Sequence, residues 1–563
     1  MPAVLDPAKP STPDAVRPTR WLPLLGGLAG LLAGASAVAV SEAVAALLTG
    51  VTSPLLAVGN RAVDQAPRPV KEWAISTFGT ADKPVLIGGV IATVALLAVV
   101  AGVLGVRRPR AAVLLLVLLV LVAGAAALTD RSATAGPGAR LLPVLALLGV
   151  GLGALVALLR PLHGLLHASL HRSPDLPTDA ATTSPRAARP RTTGGSTSNG
   201  GRLDGSAAGS DRRRFLRAAV VVAVVGAVGG AVARSYDGLA ATASRAGVRL
   251  PRPRHPAPPV PAGARLDVPG LTPYLTPSAD FYRVDTALRV PDVPLEGWHL
   301  RVTGLVDREL SLSFADLLER GLVERRITLT CVSNPVGGEY LGNATWLGVP
   351  IADLLAEAGV QAGADAVRSR SVDDFTAGTP LSVLTDRERG ALVAVGMNGE
   401  PLPLEHGFPA RMVTPGLYGY VSATKWLVEL EVTRFADFQA YWTTRGYAAE
   451  APIKTSSRID VPRSFAHVRA GRTPVAGVAW AQARGIRTVE VRVDRGPWHD
   501  AELAAEDGVD TWRQWVWQWD ATPGTHTLEV RATDADGHTQ TGARAPIAPD
   551  GSTGWDSVNV TVA

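Results

Sequence analysis

The chain has 563 residues, 47% of them hydrophobic and 19% charged, and a net charge of +5. A single cysteine excludes a disulfide scaffold and any metal site built from several thiolates. The length calls for several domains, and the modest charge does not point to nucleic acid.

Residues 1–236 are rich in Ala, Leu, Val and Gly and hold only Trp21 and Trp73 of the 13 tryptophans; the other tryptophans lie beyond, among mixed charges. That split excludes both a purely soluble protein and an all-membrane transporter. Four early stretches, residues 21–48, 85–106, 111–128 and 141–159, match the ~20 apolar residues a membrane-spanning helix needs, and 218–233 is a shorter, uncharged fifth. Arg107, Arg108 and Arg110 assign the second loop to the cytoplasm, as Arg160, Arg172, Arg186, Arg189, Arg191 and Arg202 do the region after span four. The N-terminus is then inside and the loop at 51–83 outside, although that loop carries Arg61, Arg68, Lys71 and Lys83. Glu42 falls near the outer end of span one, where an interfacial position is expected. His163, His167 and His171 recur on one helical face. No other predicted span offers a histidine to share a haem with them, so they read as an interfacial polar stripe.

Residues 1–172 are thus read as four transmembrane helices, and the Pro-, Ser-, Thr-, Gly- and Arg-rich residues 173–211 as a disordered cytoplasmic linker. Residues 212–236 open with Arg212-Arg213, continue through Phe215-Leu216 and a basic Arg217, and enter the fifth apolar run. This is similar to a twin-arginine export signal, which engages a machinery that moves folded proteins. Residues 237–264 form a Pro-rich, extended spacer.

The residues beyond alternate like strands at 298–304 and 310–312, and 313–320 reads as a helix with Ser313 as N-cap. Residues 326–331 form a strand running straight into Val332-Ser-Asn-Pro-Val-Gly-Gly338, a turn that places Cys331 at a pocket. A helix at 351–358 and a strand around 392–395 complete a mixed α+β order, and Asn398 serves an Asn-Gly turn. Beyond residue 465, strands at 488–494, 515–519, 526–533 and 557–562, separated by turns, predict an immunoglobulin-like β-sandwich, with Trp515, Trp517 and Trp519 on one face as core or dimer contact.

Four ordered motifs resemble the sulfite oxidase superfamily: Phe281-Tyr282-Arg283; Thr330-Cys331-Val-Ser333-Asn334 with Gly342-Asn-Ala-Thr-Trp-Leu-Gly-Val-Pro350; residues 397–411 ending His406-Gly-Phe-Pro-Ala-Arg411; and residues 415–426 with Ser422-Ala423-Thr424-Lys425-Trp426. The resemblance covers residues 265–440 as a molybdopterin-binding catalytic domain, and it matches 441–563 to the family's dimerisation-type sandwich, hence a possible homodimer. It implies a molybdenum–molybdopterin cofactor with Cys331 as the metal ligand, a role open to an unpaired thiolate. It further implies Cys331 and Arg283 as catalytic residues. Cofactor contacts would come from Phe281, Tyr282, Arg283, Ser333, Asn334, Ser422, Ala423, Thr424 and Lys425, and from Asp373 or Asp374 at the pterin ring. His406, Arg411 and Lys425 would clamp an anionic phosphate. Two positions depart from sulfite oxidase: Pro335-Val336 replaces an arginine pair, and Phe375 replaces a pocket tyrosine, so a dianion such as sulfite loses partners unless Arg445 or Lys454 compensates.

The reading is an α+β, multi-pass plasma-membrane oxidoreductase with an extracytoplasmic catalytic domain. It would move an oxygen atom to or from a small substrate and exchange electrons with a separate donor or acceptor, with no haem in this chain and no nucleic-acid partner. The alternatives are an S-oxide or N-oxide reductase on the same cofactor and a cofactor-free adhesion or sensor module.

Overall fold

The computed structural model describes residues 21–170, 204–236 and 239–563, apart from 49, 68–69, 71–72, 74–76, 79–81 and 134. His171 and the linker arginines at 172, 186, 189, 191 and 202 lie outside the described residues, as does the side chain of His167. The chain divides into two compact units, Met1–Gln65 with Ala81–Tyr236, and Ala66–Thr80 with Asp237–Ala563.

The first unit is helical: α1 (Leu22–Ala46), α2 (Pro54–Gln65), α3 (Asp82–Arg107), α4 (Pro109–Leu128), α5 (Pro137–Leu170) and α6 (Asp204–Tyr236). Among the described residues, five helices are long and apolar enough to cross a membrane. The last begins at Asp204, so the end of the predicted linker is helix rather than loose chain. Helix α1 packs on α3, α5 and α6 through small residues. A Cβ on Gly30 would stand 2.0 Å from the Ala98 carbonyl oxygen, which is why glycine occupies this crossing. Buried hydroxyls are bonded within the bundle, Ser36 to the Val222 carbonyl (2.7 Å) and Ser41 to that of Pro143 (2.9 Å). His163 Nε2 lies 2.8 Å from the Gly105 carbonyl.

The second unit begins with α7 (Leu239–Gly247). One sheet has the order β2-β1-β10-β5-β6, from β1 (His299–Gly304), β2 (Leu310–Ser313), β5 (Ala366–Ser371), β6 (Thr376–Pro380) and β10 (Leu427–Thr433); only the β1–β10 pair is parallel. The other runs β3-β4-β7-β8 with β9 on β7, from β3 (Val323–Thr330), β4 (Leu341–Pro350), β7 (Leu392–Met397), β8 (Glu400–Pro401) and β9 (Arg411–Val413). Helices α8 (Phe314–Glu319) and α9 (Ile351–Ala358) pack with them. Ser313 caps α8 in a reciprocal box with Asp316, as the local pattern predicts. One core holds Leu300, Ile327, Trp346, Val393 and Leu430 from both sheets.

The Pro-rich arm is extended but not detached. His255 bridges Val323 in parallel, and Arg254 N–H donates to the Leu322 carbonyl at 2.7 Å, so the arm lies along the start of β3.

From Ser456 two further sheets follow, β11-β13-β17-β16 and β12-β19-β18-β14-β15. Their strands are β11 (Ser456–Val461), β12 (His467–Val468), β13 (Gly471–Trp480), β14 (Ile486–Val493), β15 (His499–Asp500), β16 (Glu502–Leu503), β17 (Arg513–Ala521), β18 (Gly524–Asp534) and β19 (Asp556–Val562). Trp515 and Trp519 fill the core between the two sheets with Val491, Val530 and Val560, and Trp517 packs at its edge under His499. A further buried cluster, including Tyr274, Val332, Tyr418, Trp480 and Trp512, joins these two sheets to the α+β layers.

Candidate active site

Strand β3 is half-buried at its start and fully buried over Ile327–Thr330, so it drives Cys331 inward. The turn that follows is closed by backbone bonds: Cys331 N–H donates to Tyr340 O (2.9 Å) and Asn334 N–H to Cys331 O (3.1 Å). Asn334 Oδ1 accepts from Tyr340 N–H at 2.8 Å, so this side chain shapes the turn. The C-terminal layers clasp it from outside, through Ser552 Oγ on the Asn334 carbonyl (2.8 Å) and Arg458 on that of Gly338 (2.7 Å). The Cys331 sulfur accepts from Ser333 N–H at 3.4 Å. Burial pushes the thiol pKa up, while the Ser333 bonds and the Lys425 charge pull it back.

Three cations converge nearby. Arg283 Nε and Lys425 Nζ both donate to Asp285 Oδ2, at 3.0 and 3.1 Å, and Lys425 also reaches the Glu405 carbonyl at 2.9 Å. Arg411 opens β9 and is held by backbone carbonyls alone, those of His406 (3.1 Å), Ala423 (3.3 Å) and Met412 (3.3 Å), with its guanidinium 5.1 Å above the Trp346 ring. His406 ends a short 3-10 turn before Gly407, whose φ of +110° and approach to Lys425 leave room only for glycine. Its Nε2 donates to Ser278 O at 3.0 Å, and its ring packs edge-on to Phe281. Phe281 needs Gly342, where a Cβ would stand 2.6 Å from the ring.

The electrostatics leave an excess of positive charge in a buried place. Burial lowers the pKa of Arg411 to about 10 and of Lys425 to about 8, and both stay charged at neutral pH. His406 is pushed down to about 3 by burial and by the neighbouring cations, so it is neutral. Asp285 is the carboxylate paired with this group, while burial and the Asp285 charge push the Asp373 carboxyl up. Arg283 Nη2 and His406 Nδ1 are buried without a hydrogen-bond partner. The unpaired donor on Arg283 and surplus charge of this kind are what an anionic ligand would satisfy.

Not every sequence-predicted contact points inward. The Ser422 hydroxyl is engaged with the Leu417 and Tyr418 carbonyls, both at 3.0 Å, and Thr424 Oγ1 with Ser369 Oγ at 2.7 Å. These side chains hold their own turn, because they sit where α10 (Gly419–Ser422) must be tied to β5, and Ala423 contributes its carbonyl to Arg411. Of the two aspartates, Asp373 lies beside Asp285, whereas Asp374 pairs with Arg370 at 3.2 Å. Asn398 does serve its turn, accepting from Thr345 N–H at 3.0 Å. Sequence reading missed Asp285 and Trp346. The first stood two residues after Arg283 in extended chain, hence on the same side.

Val336 lines a narrow pocket with Thr330, Asn334 and Tyr418. The pocket shares Ser456, Gln540 and Ser552 with a cleft of about 400 Å³ that Lys454 and Arg484 line. Lys454 is held by Asp550 (2.9 Å) and the Gly551 carbonyl (2.7 Å). Phe375 packs on Tyr441, and the Arg445 guanidinium lies 3.6 Å over that same ring.

Two facing α+β sheets around a buried thiol and a cationic cradle define a molybdopterin-binding oxidoreductase, and residues 287–442 match the family described as oxidoreductase molybdopterin binding domain. The chain is 31% identical to sulfite oxidase of Gallus gallus over 49% of this chain and 70% of that protein. It is 36% identical to the uncharacterized oxidoreductase YuiH of Bacillus subtilis over 28% of this chain and 79% of that one. It belongs to the sulfite oxidase superfamily. The chain spans 62% of the mitochondrial sulfite oxidase of Macaca fascicularis and 58% of the mouse protein. Among solved structures, the sulfane dehydrogenase SoxCD of Paracoccus pantotrophus aligns over 48% of this chain and 75% of its own, at 24% identity and a TM-score of 0.43.

Proposed function

We propose that the chain is a membrane-anchored molybdenum-cofactor enzyme. It would transfer an oxygen atom to or from a small substrate on the outer membrane face and pass electrons to or from a separate partner. The observation that carries this reading is the surplus of buried positive charge, with an unpartnered donor on Arg283, beside the sole cysteine. Cys331 would ligate the metal, and Lys425, Arg411 and Arg283 would hold the anionic part of the cofactor, with neutral His406 offering Nδ1 as an acceptor while its Nε2 is held by the Ser278 carbonyl. Asp373, kept toward its neutral form by burial, offers a carboxylic acid to the pterin ring. Bound there, the group supplies two-electron redox chemistry. The protein's share is to keep the thiol dry until it is ligated, to orient the anion, and to admit substrate past Val336 and Phe375. The C-terminal layers act as an immunoglobulin-like dimerisation domain, and the Arg212-Arg213 motif as a twin-arginine signal.

A reductase of S-oxides or N-oxides is favoured over sulfite oxidation by one observation. The pocket beside the Cys331 turn presents Val336, and the cations lining the adjoining cleft, Lys454 and Arg484, are already paired with Asp550 and Asp534. A neutral oxide needs fewer cations than a dianion. Metal and pterin analysis of the matured protein, with turnover on sulfite and on an S-oxide, tests both levels. Protein lacking molybdenum would overturn the enzyme, and efficient sulfite oxidation would overturn the substrate preference.

A further inference from the structure

The helical unit holds an open cavity of about 630 Å³ between α1, α2, α3, α4 and α5, within the ~300–1,000 Å³ of small-molecule sites. Its walls are apolar, with Ala33, Val58, Gly89, Leu97 and Leu119 among them, and its polar lining is Ser41 and Glu42 of α1 with Thr93 of α3. The hydroxyls of Ser41 and Thr93 donate to the carbonyls of Pro143 (2.9 Å) and Gly89 (2.8 Å). Glu42 is the ionisable residue of this lining, which holds no basic residue among the described ones. An acid within a membrane span marks a functional site by default, because it is costly to keep there.

We propose that this cavity binds the ring and first isoprene units of a membrane quinone, with Glu42 at the ring. The proposal rests on the reading of the helices as spans and of the other unit as a redox enzyme. Within hydrocarbon an apolar cavity fills with a lipid-soluble molecule. A phospholipid phosphate would find no cation here and would meet an acid, whereas a quinone is neutral, its isoprenoid tail suits these walls, and its ring oxygens pair with a carboxylic acid. Glu42 stands at the end of α1 that leads to the 51–83 loop, which the arginine distribution assigns to the outer face. The enzyme reading also requires a two-electron carrier. For a substrate S, S + H2O + quinone gives SO + quinol: water supplies the oxygen, and the quinone ends with two electrons and two protons. In the reductase direction the same equation runs backwards.

The test uses the cofactor-loaded full chain in detergent and a naphthoquinone with a two-isoprene tail as probe. Gly89→Phe fills the cavity, since nothing lies within 4 Å of a Cβ placed there. Glu42→Leu removes the polar partner, and Leu121→Phe, on an exposed face outside the cavity, is the control. Wild type and control should bind one quinone per chain, and the two cavity variants at least tenfold more weakly. Turnover with a water-soluble dye should stay equal in all four proteins, while quinone-coupled turnover falls in the cavity variants. Equal quinone binding by Gly89→Phe and wild type would overturn the site, as would phospholipid as the sole co-purifying lipid with no saturable quinone binding. Binding is measured apart from turnover, so a wild type inactive with the dye would indict the enzyme reading while the quinone site is still judged on its own.

Discussion

Asp285→Asn isolates the charge balance of the cradle. The substitution keeps shape and a hydrogen-bond acceptor but removes the negative charge that faces both Arg283 and Lys425. In the Lys425 pair the two side chains are 9% and 6% exposed, and breaking such a buried pair costs about 3–5 kcal/mol. The Arg283 side chain is 35% exposed, so its arm adds no more than about 1 kcal/mol. Because asparagine still accepts a bond, the cofactor-free protein should lose about 3 kcal/mol, at the low end of that range. That corresponds to a melting temperature lower by roughly 5–10 °C. A bound anionic cofactor supplies counter-charge to the same cations, so the loaded protein should lose less than half as much. Thermal unfolding of both forms of wild type and variant measures the difference. Equal losses in the two forms, or none in the cofactor-free protein, would refute an anion site at this cradle.

Cys331→Ser should fold, at a cost of no more than about 1–3 kcal/mol, and be recovered with pterin, yet lose nearly all turnover; an active variant would remove the thiolate from its assigned role. Lys425 has a folded pKa near 8 against an ordinary 10.5, so the cofactor-free protein should gain stability as pH rises from about 8 to 10.5, where the unfolded chain binds the extra proton. Cofactor retention should fall across the same rise, since the neutral amine no longer attracts an anion, and Lys425→Met should flatten both profiles. His406, held near 3 against 6.5, should cost stability as pH falls through that window, visible as an acid-side loss absent from His406→Gln. Arg212→Lys with Arg213→Lys preserves charge and should still leave a reporter after residue 240 inside the cell; normal export would reduce the motif to a plain anchor.

Much of this protein is written locally. Apolar runs of spanning length, the Ser313–Asp316 cap, the buried end of β3 leading into Cys331, and the alternation of β14, β17, β18 and β19 all depend on residues within a few positions of one another. Periodicity and short-range hydrogen bonding decide such features, so they can be read in order. The motifs around Cys331, His406, Arg411 and Lys425 were legible for a different reason: they match a family pattern whose site chemistry tolerates few residue types. What the chain alone left open was which groups meet. Lys425 and Asp285 are 140 residues apart and share a 3.1 Å bond, and Arg411 lies over Trp346 from a different strand of the same sheet. Asp373 rather than Asp374 faces the cradle because the φ of +59° at Asp374 turns the chain toward Arg370. The hydroxyls of Ser422 and Thr424 were available in the sequence and are consumed by packing. Buried polar groups take whichever partner the close-packed interior brings within reach, and that partner is set by long-range packing of strands and turns, which no local pattern encodes.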